Sequence, residues 1–349
     1  MDKRFVAAIR VHEHGGIDKL RIDQVQIREL RGTDVAVRVK YTSINHLDLW
    51  VRRGLPAVTF PLPIILGSDG SGIVEEVGSE VTDINKGDRV LIAPGTSCGK
   101  CEMCLSGRDN LCREYKILGE QCDGVDAELI IIPRTGIIKL PDSISLEEAA
   151  ASALVFMTAY QMLVEKARVQ PGEKVLVLGA SSGVGSAAIQ IAKFYGASVI
   201  AVAGSDSKLE KAKELGADEL INYKTDNIHK EVRRLTNKKG VEVVFEHVGE
   251  LTWRESILSA SAGGRIVTCG ATTGYNGVTD LRYLFSRQLT IYGSTMGSKS
   301  TLFKMLNLMT QKKFKAVIDR IFSYREVALA HEIMESGDHF GKILLRFGD

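Results

Sequence analysis

The chain has 349 residues, with 45 Lys plus Arg against 43 Asp plus Glu and a formal net charge of +2. At roughly 100–200 residues per domain this length suggests about two domains, and the even charge balance argues against an electrostatic binder of nucleic acid or of a membrane surface. The 6 cysteines are too dilute for a disulfide-framed secreted module, yet most of them fall between residues 98 and 112.

Nothing at the N-terminus reads as a leader. After Met1-Asp2-Lys3-Arg4 the apolar run Phe5–Ile9 stops at Arg10, too short for the core of a signal peptide. The most apolar stretch, Ala149 to Tyr160, contains Ser152 and Thr158 and falls short of the ~20 residues that cross a bilayer. A soluble cytoplasmic protein is expected, with no membrane or nucleic-acid partner. In that reducing compartment clustered cysteines point to metal rather than disulfides.

Residues 1 to about 150 carry short β-like patterns. Val35, Val37, Val39 and Tyr41 alternate with Ala36, Arg38 and Lys40, the period-2 signature of a half-buried strand. Gly67-Ser68-Asp69-Gly70-Ser71-Gly72 and Asn85-Lys86-Gly87-Asp88 supply turn chemistry between Val/Ile-rich runs. Near residue 145 the texture changes. Ser145-Leu146-Glu147-Glu148 is a capping box that opens an Ala-rich helix. After the turn Pro171-Gly172-Glu173-Lys174, strands at Val175–Leu178, Val199–Ala203, Val241–Phe245 and Arg265–Cys269 alternate with helices through about Tyr195, from about Ser207 to Leu215, and near Leu251–Ser261. Continuous apolar strands separated by helices predict βαβ units and a parallel sheet. Beyond about residue 297 the pattern turns helical and closes on a strand, Lys342–Phe347, expected to pack back onto the first domain.

The segment Val175-Leu176-Val177-Leu178-Gly179-Ala180-Ser181-Ser182-Gly183-Val184-Gly185 ends a strand and opens a helix. Small residues let the backbone approach a pyrophosphate, and a helix N-terminus presents free N–H groups and a positive dipole. A tight strand–helix turn uses the same residues, but the βαβ setting favours a dinucleotide site. An NAD enzyme usually places an acid at the end of the second strand. Here that position reads Ala203-Gly204-Ser205, and Asp206 comes late. Ser205 and Lys208 can then donate to a 2′-phosphate, so NADPH is expected, with NADH the lesser alternative. Lys208 as a solvated helix residue is the plainer reading.

Cys98, Cys101, Cys104 and Cys112 form C-x2-C-x2-C-x7-C. Four thiolates close one tetrahedral zinc and leave no open position, which marks one structural Zn2+ per chain. An iron–sulfur cluster would favour a shorter last gap and a following Pro, where this chain has Arg113. A nucleic-acid zinc module would want basic surroundings, but Lys100, Arg108 and Arg113 are offset by Glu102, Asp109 and Glu114. Cys122 and Cys269 are isolated and read as small buried hydrophobes.

This cluster, followed by the Val-Leu-Gly-Ala-Ser-Ser-Gly-Val-Gly turn, resembles the zinc-containing medium-chain dehydrogenase/reductase superfamily, from Asn45-His46-Leu47-Asp48 to Phe340-Gly341-Lys342. The resemblance implies an α/β protein: a GroES-like β-rich catalytic domain (residues 1–152 and 298–349, zinc lobe about 95–115) and a Rossmann domain (153–297) with a doubly wound parallel sheet. It also implies a homodimer or homotetramer, joined through strands near Leu289–Ser294. The superfamily's catalytic zinc is held by Cys, His and Cys, with a Glu beside the His. Those positions match Asn45, then Gly67-Ser68-Asp69, then the stretch Val155, Phe156 and Met157, and the relay hydroxyl is replaced by Leu47. From those residue types a Lewis-acid zinc cannot be assembled. The pattern resembles the quinone oxidoreductase branch, which lacks that zinc, has Asn at the first position and prefers NADPH. Its phosphate-binding Lys and Tyr match Lys208 and Tyr223. The retained cysteine cluster is unusual for that branch.

Without a metal to polarise a carbonyl, hydride transfer suits a small-molecule acceptor that delocalises charge itself: a quinone, an α,β-unsaturated ketone or an enoyl thioester. The expected catalytic set is Asn45, Asp48, Ser68 and Asp69, with a purely structural role for the two aspartates equally open. The expected cofactor set is His46 at the pyrophosphate, Thr158, the turn residues Gly179, Ser181, Ser182, Gly183, Val184 and Gly185, then Ser205, Lys208, Tyr223, His247 and Gly270. His247 follows a parallel strand, where such sheets bind ligands, although a hydrogen-bonded wall histidine fits the sequence as well. The competing readings are a zinc alcohol dehydrogenase and a non-catalytic nucleotide-binding protein.

Overall fold

The computed structural model describes residues 4–348. The chain forms two compact units, Met1–Leu154 with Ser298–Asp349, and Val155–Gly297.

The first unit is built on a mixed, mostly antiparallel sheet. Its long central strand Asp34–Ser43 pairs antiparallel with Asp69–Val77, with Leu129–Pro133 and with the C-terminal strand Lys342–Arg346. The alternation through Val35, Val37 and Val39 marks the face that shares one apolar cluster with Ile9, Val74, Ile343 and Leu345. The strand is more enclosed than its alternation predicts, because Ala36 on the other face is buried against Val6 and Leu129. A second departure lies at Gly67–Gly72. Only Gly67 and Ser68 precede the strand, and Asp69 to Gly72 belong to it. The glycines serve close strand approach rather than a turn, since a Cβ on Gly72 would lie 2.2 Å from the Arg38 carbonyl oxygen. The turn at Asn85–Asp88 is as expected, with Asn85 N–H donating to the Asp88 carboxylate at 2.9 Å.

The register of these strands decides the site. Ser43 lies opposite Asp69 on one side and opposite Leu344 on the other. Lys342, two residues before Leu344, therefore reaches the same sheet end as Ser43, Asn45 and Asp69.

In the second unit six strands form one parallel sheet, ordered Glu219–Asn222, Ser198–Ala203, Lys174–Val177, Val241–Glu246, Ala260–Thr268, Thr290–Gly293. Numbered by sequence this order is 3-2-1-4-5-6, that of a dinucleotide-binding doubly wound sheet. The apolar strands are buried from both sides: Val175, Leu176, Val177, Val243, Val244 and Phe245 are all fully inaccessible. Strand Glu219–Asn222 and helix Ile228–Leu235 escape the sequence pattern because their charged, short segments dilute the apolar signal. Ile318–Ser323 in the first unit escapes for the same reason; it is an edge strand whose apolar run is broken by Asp319 and Arg320. The capping box forms as expected: Ser145 N–H donates to Glu148 and Glu148 N–H donates to Ser145 Oγ, at 3.0 and 3.1 Å. No helix among the described residues is long and apolar enough to cross a membrane.

Candidate functional site

At the end of the first unit's sheet the expected catalytic residues meet a partner that the sequence does not announce. Asn45 precedes helix His46–Arg53. Its Nδ2 donates to Asp69 Oδ2 at 3.0 Å, and its backbone N–H donates to Asp48 Oδ2 at 2.7 Å. Asp69 is fully buried and accepts from Ser43 Oγ and Lys342 Nζ as well as Asn45, while its other oxygen accepts Leu154 N–H at 2.8 Å. Lys342 is 3% exposed and donates to Ile44 O at 2.9 Å, Asn45 Oδ1 at 2.5 Å and Asp69 Oδ2 at 3.2 Å. An ammonium has three donors, and all are used. Burial lowers the Lys342 pKa, against the pull of Asp69. Ser68 turns elsewhere and donates to Leu118 O at 2.7 Å.

Two further carboxyls flank Gly67. Asp48 Oδ1 accepts Gly67 N–H at 3.1 Å, and a Cβ on Gly67 would lie 2.3 Å from Asp126 Oδ1. Burial pushes Asp48 up to about 6 and Asp126 up to about 8. His46 begins the helix and its ring tilts toward Trp50 at 6.5 Å.

In the same unit Cys98, Cys101, Cys104 and Cys112 converge, with all four sulfurs within 4.8 Å of one another. The Sγ–Sγ separations Cys101–Cys104 and Cys98–Cys112 are 3.6 Å and Cys98–Cys104 is 3.9 Å. Four sulfurs at ~2.3 Å from a tetrahedral zinc stand about 3.8 Å apart, so donor set and spacing fit zinc. Backbone N–H groups of Lys100 and Cys101 lower the Cys98 thiol, toward the thiolate a metal requires, whereas burial and the neighbouring thiols raise Cys101. The lobe is tied down beyond its cysteines: Asp109 Oδ1 accepts Lys299 N–H at 2.9 Å, and Ser300 Oγ donates to Gly107 O at 3.3 Å.

The second unit holds the glycine turn. Gly179 has φ +58°, and Ser182 caps helix Gly183–Phe194, its Oγ accepting Gly185 N–H at 2.9 Å. A Cβ on Gly185 would lie 2.3 Å from Gly179 O; only glycine lets helix and strand close here. His247 Nε2 stands 2.9 Å from Leu178 O and 3.4 Å from Ser182 Oγ, and its ring lies where a Gly179 Cβ would go. It is a hydrogen-bonded wall of the turn, and the protein packed round it lowers its pKa. Gly270 lies against it, a Cβ there being 3.0 Å from His247 O. Thr158 is buried with its hydroxyl unpartnered, as is the Ser294 hydroxyl. Cradle and helix N-terminus suit a dinucleotide pyrophosphate.

At the end of the second strand Tyr223 covers Gly204, whose Cβ would lie 2.5 Å from the phenol oxygen. Asp206 accepts Asn222 Nδ2 at 2.9 Å, and Ser205 Oγ lies 3.2 Å from Ser207 Oγ. Lys208 follows one turn into helix Asp206–Glu214.

Two family matches cover most of the chain: the alcohol dehydrogenase GroES-like domain over residues 31–142 and the zinc-binding dehydrogenase domain over residues 183–311. A zinc-type alcohol dehydrogenase-like protein of Schizosaccharomyces pombe is 32% identical, over 96% of this chain and 98% of that one. The chain belongs to the zinc-type medium-chain dehydrogenase/reductase superfamily. A crotonyl-CoA carboxylase/reductase of Cereibacter sphaeroides is also 32% identical, over 95% of this chain and 84% of that one. Among solved structures, an NAD-dependent alcohol dehydrogenase is 46% identical with a TM-score of 0.94, covering 98% of this chain and 100% of that chain.

As a medium-chain dehydrogenase/reductase the protein is an oxidoreductase of α/β architecture, joining a GroES-like domain to a Rossmann sheet. The structure brings Asn45, Asp48 and Asp69 together and turns the Ser68 hydroxyl away. Sequence reasoning missed Ser43, Asp126 and Lys342. For Lys342 the only signal was a lysine heading an apolar terminal strand, and nothing local says what that strand pairs with.

Proposed function

We propose that the protein is an NADPH-dependent reductase that transfers hydride to a quinone, an α,β-unsaturated carbonyl or an enoyl thioester, with one structural zinc and no catalytic zinc. The observation that carries this reading is the Lys342 ammonium, which already binds Asn45 Oδ1 and Asp69 Oδ2. A cation built into the chain serves the polar groups beside the superfamily's catalytic-metal position. Amide, hydroxyl and apolar side chains at Asn45, Ser68 and Val155–Met157 are poor zinc ligands.

The bound cofactor supplies the hydride. The chain's own part is to hold and orient. Gly179, Ser181, Ser182, Gly183, Val184 and Gly185 receive the pyrophosphate at the helix N-terminus, and His247 with Gly270 braces that turn. Ser205, Lys208 and Tyr223 receive the 2′-phosphate. The Asn222 bond to Asp206 supports this assignment, since it occupies the nearest carboxylate. Asn45, fixed by Asp48 and Asp69, presents the acceptor side, with Ser68 adjacent in the chain. His46 and Thr158 complete the cofactor set. Copies join through the sheet edge Thr290–Gly293 into a homodimer or homotetramer, which sedimentation equilibrium tests.

The test is NADPH oxidation across quinones, enones, enoyl-CoA esters and aldehydes. Turnover with the first three classes and little with simple aldehydes is expected. Preference for aldehydes with NADH would favour a zinc alcohol dehydrogenase, the reading supported by similarity to the NAD-dependent alcohol dehydrogenase. NADPH binding without any turnover would favour a non-catalytic protein.

A further inference from the structure

Around Gly67 the first unit buries three carboxyls and one ammonium. Asp48, Asp69 and Asp126 are 1%, 0% and 3% exposed, and Lys342 is 3% exposed. Fully ionised, the set would carry two uncompensated negative charges away from water, which burial strongly disfavours. The partners show where the neutralising proton sits. Asp69 has the ammonium and three other donors. Asp48 has two backbone N–H donors, from Asn45 and Gly67. Asp126 is faced by the Thr42 hydroxyl, which is itself fully buried and makes no hydrogen bond of standard geometry.

We propose that Asp126, paired with Asp48 across Gly67, is a neutral carboxylic acid in the resting protein and stores the proton that the reduction consumes. The inference rests on the reductase reading above. Hydride addition brings one electron pair from NADPH to the acceptor and leaves an enolate or phenolate. The Asp126 O–H bond then breaks, a C–H or O–H bond forms on the product, and the carboxylate regains a proton from solvent. NADPH, the acceptor and one proton give NADP+ and the reduced acceptor. Asp126 acts as a proton store feeding the acceptor side, and no contact with substrate is assigned to it.

The charged groups around Asp126 are few. Helix His46–Arg53 contributes Asp48 and strand Asp69–Val77 contributes Asp69, both of which raise Asp126, while Lys342 of strand Lys342–Arg346 acts on Asp48. The loop before Asp126 carries Glu120 and Asp123, and Asp123 is bound to Ile65 N–H. The direction agrees with the geometry, since burial and the neighbouring Asp48 both raise Asp126.

The test has a readout independent of turnover. Difference infrared spectroscopy of the full-length protein should show a protonated carboxyl at neutral pH that is lost as pH rises past about 8 and is missing in Asp126→Asn. With NADPH and an enone, Asp126→Asn should lower kcat by about 100-fold, flatten the alkaline limb of the kcat profile and leave NADPH affinity unchanged. Should that variant not fold, Thr42→Val keeps the carboxyl and should move the infrared midpoint upward. An unchanged carboxyl band in Asp126→Asn, an unmoved midpoint in Thr42→Val, or a kcat profile indifferent to Asp126→Asn overturns the proposal. A band that behaves as expected in a protein that reduces no acceptor overturns the reductase reading instead.

Discussion

Replacing Lys342 by Met removes the ammonium and keeps most of the stem's volume. Asp69 then remains buried with neutral donors alone, and Asn45 Oδ1 and Ile44 O each lose a donor. Breaking a buried ion pair from one side costs about 3–5 kcal/mol, because the surviving charge is left uncompensated; the two orphaned acceptors act in the same direction. In a unit of about 200 residues this lowers the midpoint of its thermal transition by roughly 6–20 °C. Calorimetry or urea unfolding of Lys342→Met, Asp69→Asn and the double variant measures both the cost and the coupling. The double variant should be more stable than the two single costs added together, by on the order of 2 kcal/mol. A Lys342→Met cost under about 1 kcal/mol, or simple additivity within about 0.5 kcal/mol, would refute the ammonium's role.

Three further outcomes are expected. Lys208→Ala should weaken NADPH binding about tenfold, the loss of one charge-assisted contact, and leave NADH binding unchanged by fluorescence titration; equal losses would mean that Lys208 does not read the 2′-phosphate. Stripping zinc with a chelator, or Cys112→Ser, should free the lobe and release its Asp109 and Gly107 ties to Lys299 and Ser300, seen as faster amide exchange over about residues 95–115; unchanged exchange in zinc-free protein would contradict a structural metal. Stability should also fall with rising pH. Asp48 at about 6 and Asp126 at about 8 lie above their ordinary value of 3.8, so their contribution is complete below about pH 4 and is lost as pH passes through 6 and then 8. The slope is at most about 1.4 kcal/mol per pH unit for each group, and stability curves of wild type and Asp126→Asn that overlay between pH 6 and 9 would disprove it.

What the sequence shows follows how far each signal reaches along the chain. The glycine turn, the capping box at Ser145 and the cysteine spacing are local, and each forms as its residues dictate. The parallel strands are legible because burial on both faces leaves uninterrupted apolar runs such as Val175–Leu178. Strand Glu219–Asn222 is not, since its ends are polar and its length gives no period to count. The acidic site is a product of strand register. Lys342 lies 273 positions from Asp69, and only the antiparallel pairing of the last strand with Asp34–Ser43 joins them. Asp126 is likewise invisible, because an aspartate before Ala127 and Glu128 reads as a solvated loop residue until Gly67 closes over it. His247 stands between the two cases: its place after a parallel strand is readable, and its bond to Leu178 O is not.

In the proposed reductase, metal anchors the fold while the cofactor carries the chemistry. Zinc content per chain, measured on purified protein that is actively oxidising NADPH with an enone, tests it most directly. About one zinc per chain is expected, held by Cys98, Cys101, Cys104 and Cys112 and lost in Cys112→Ser. Two zincs per chain, the second surviving Cys112→Ser and leaving with activity, would contradict it.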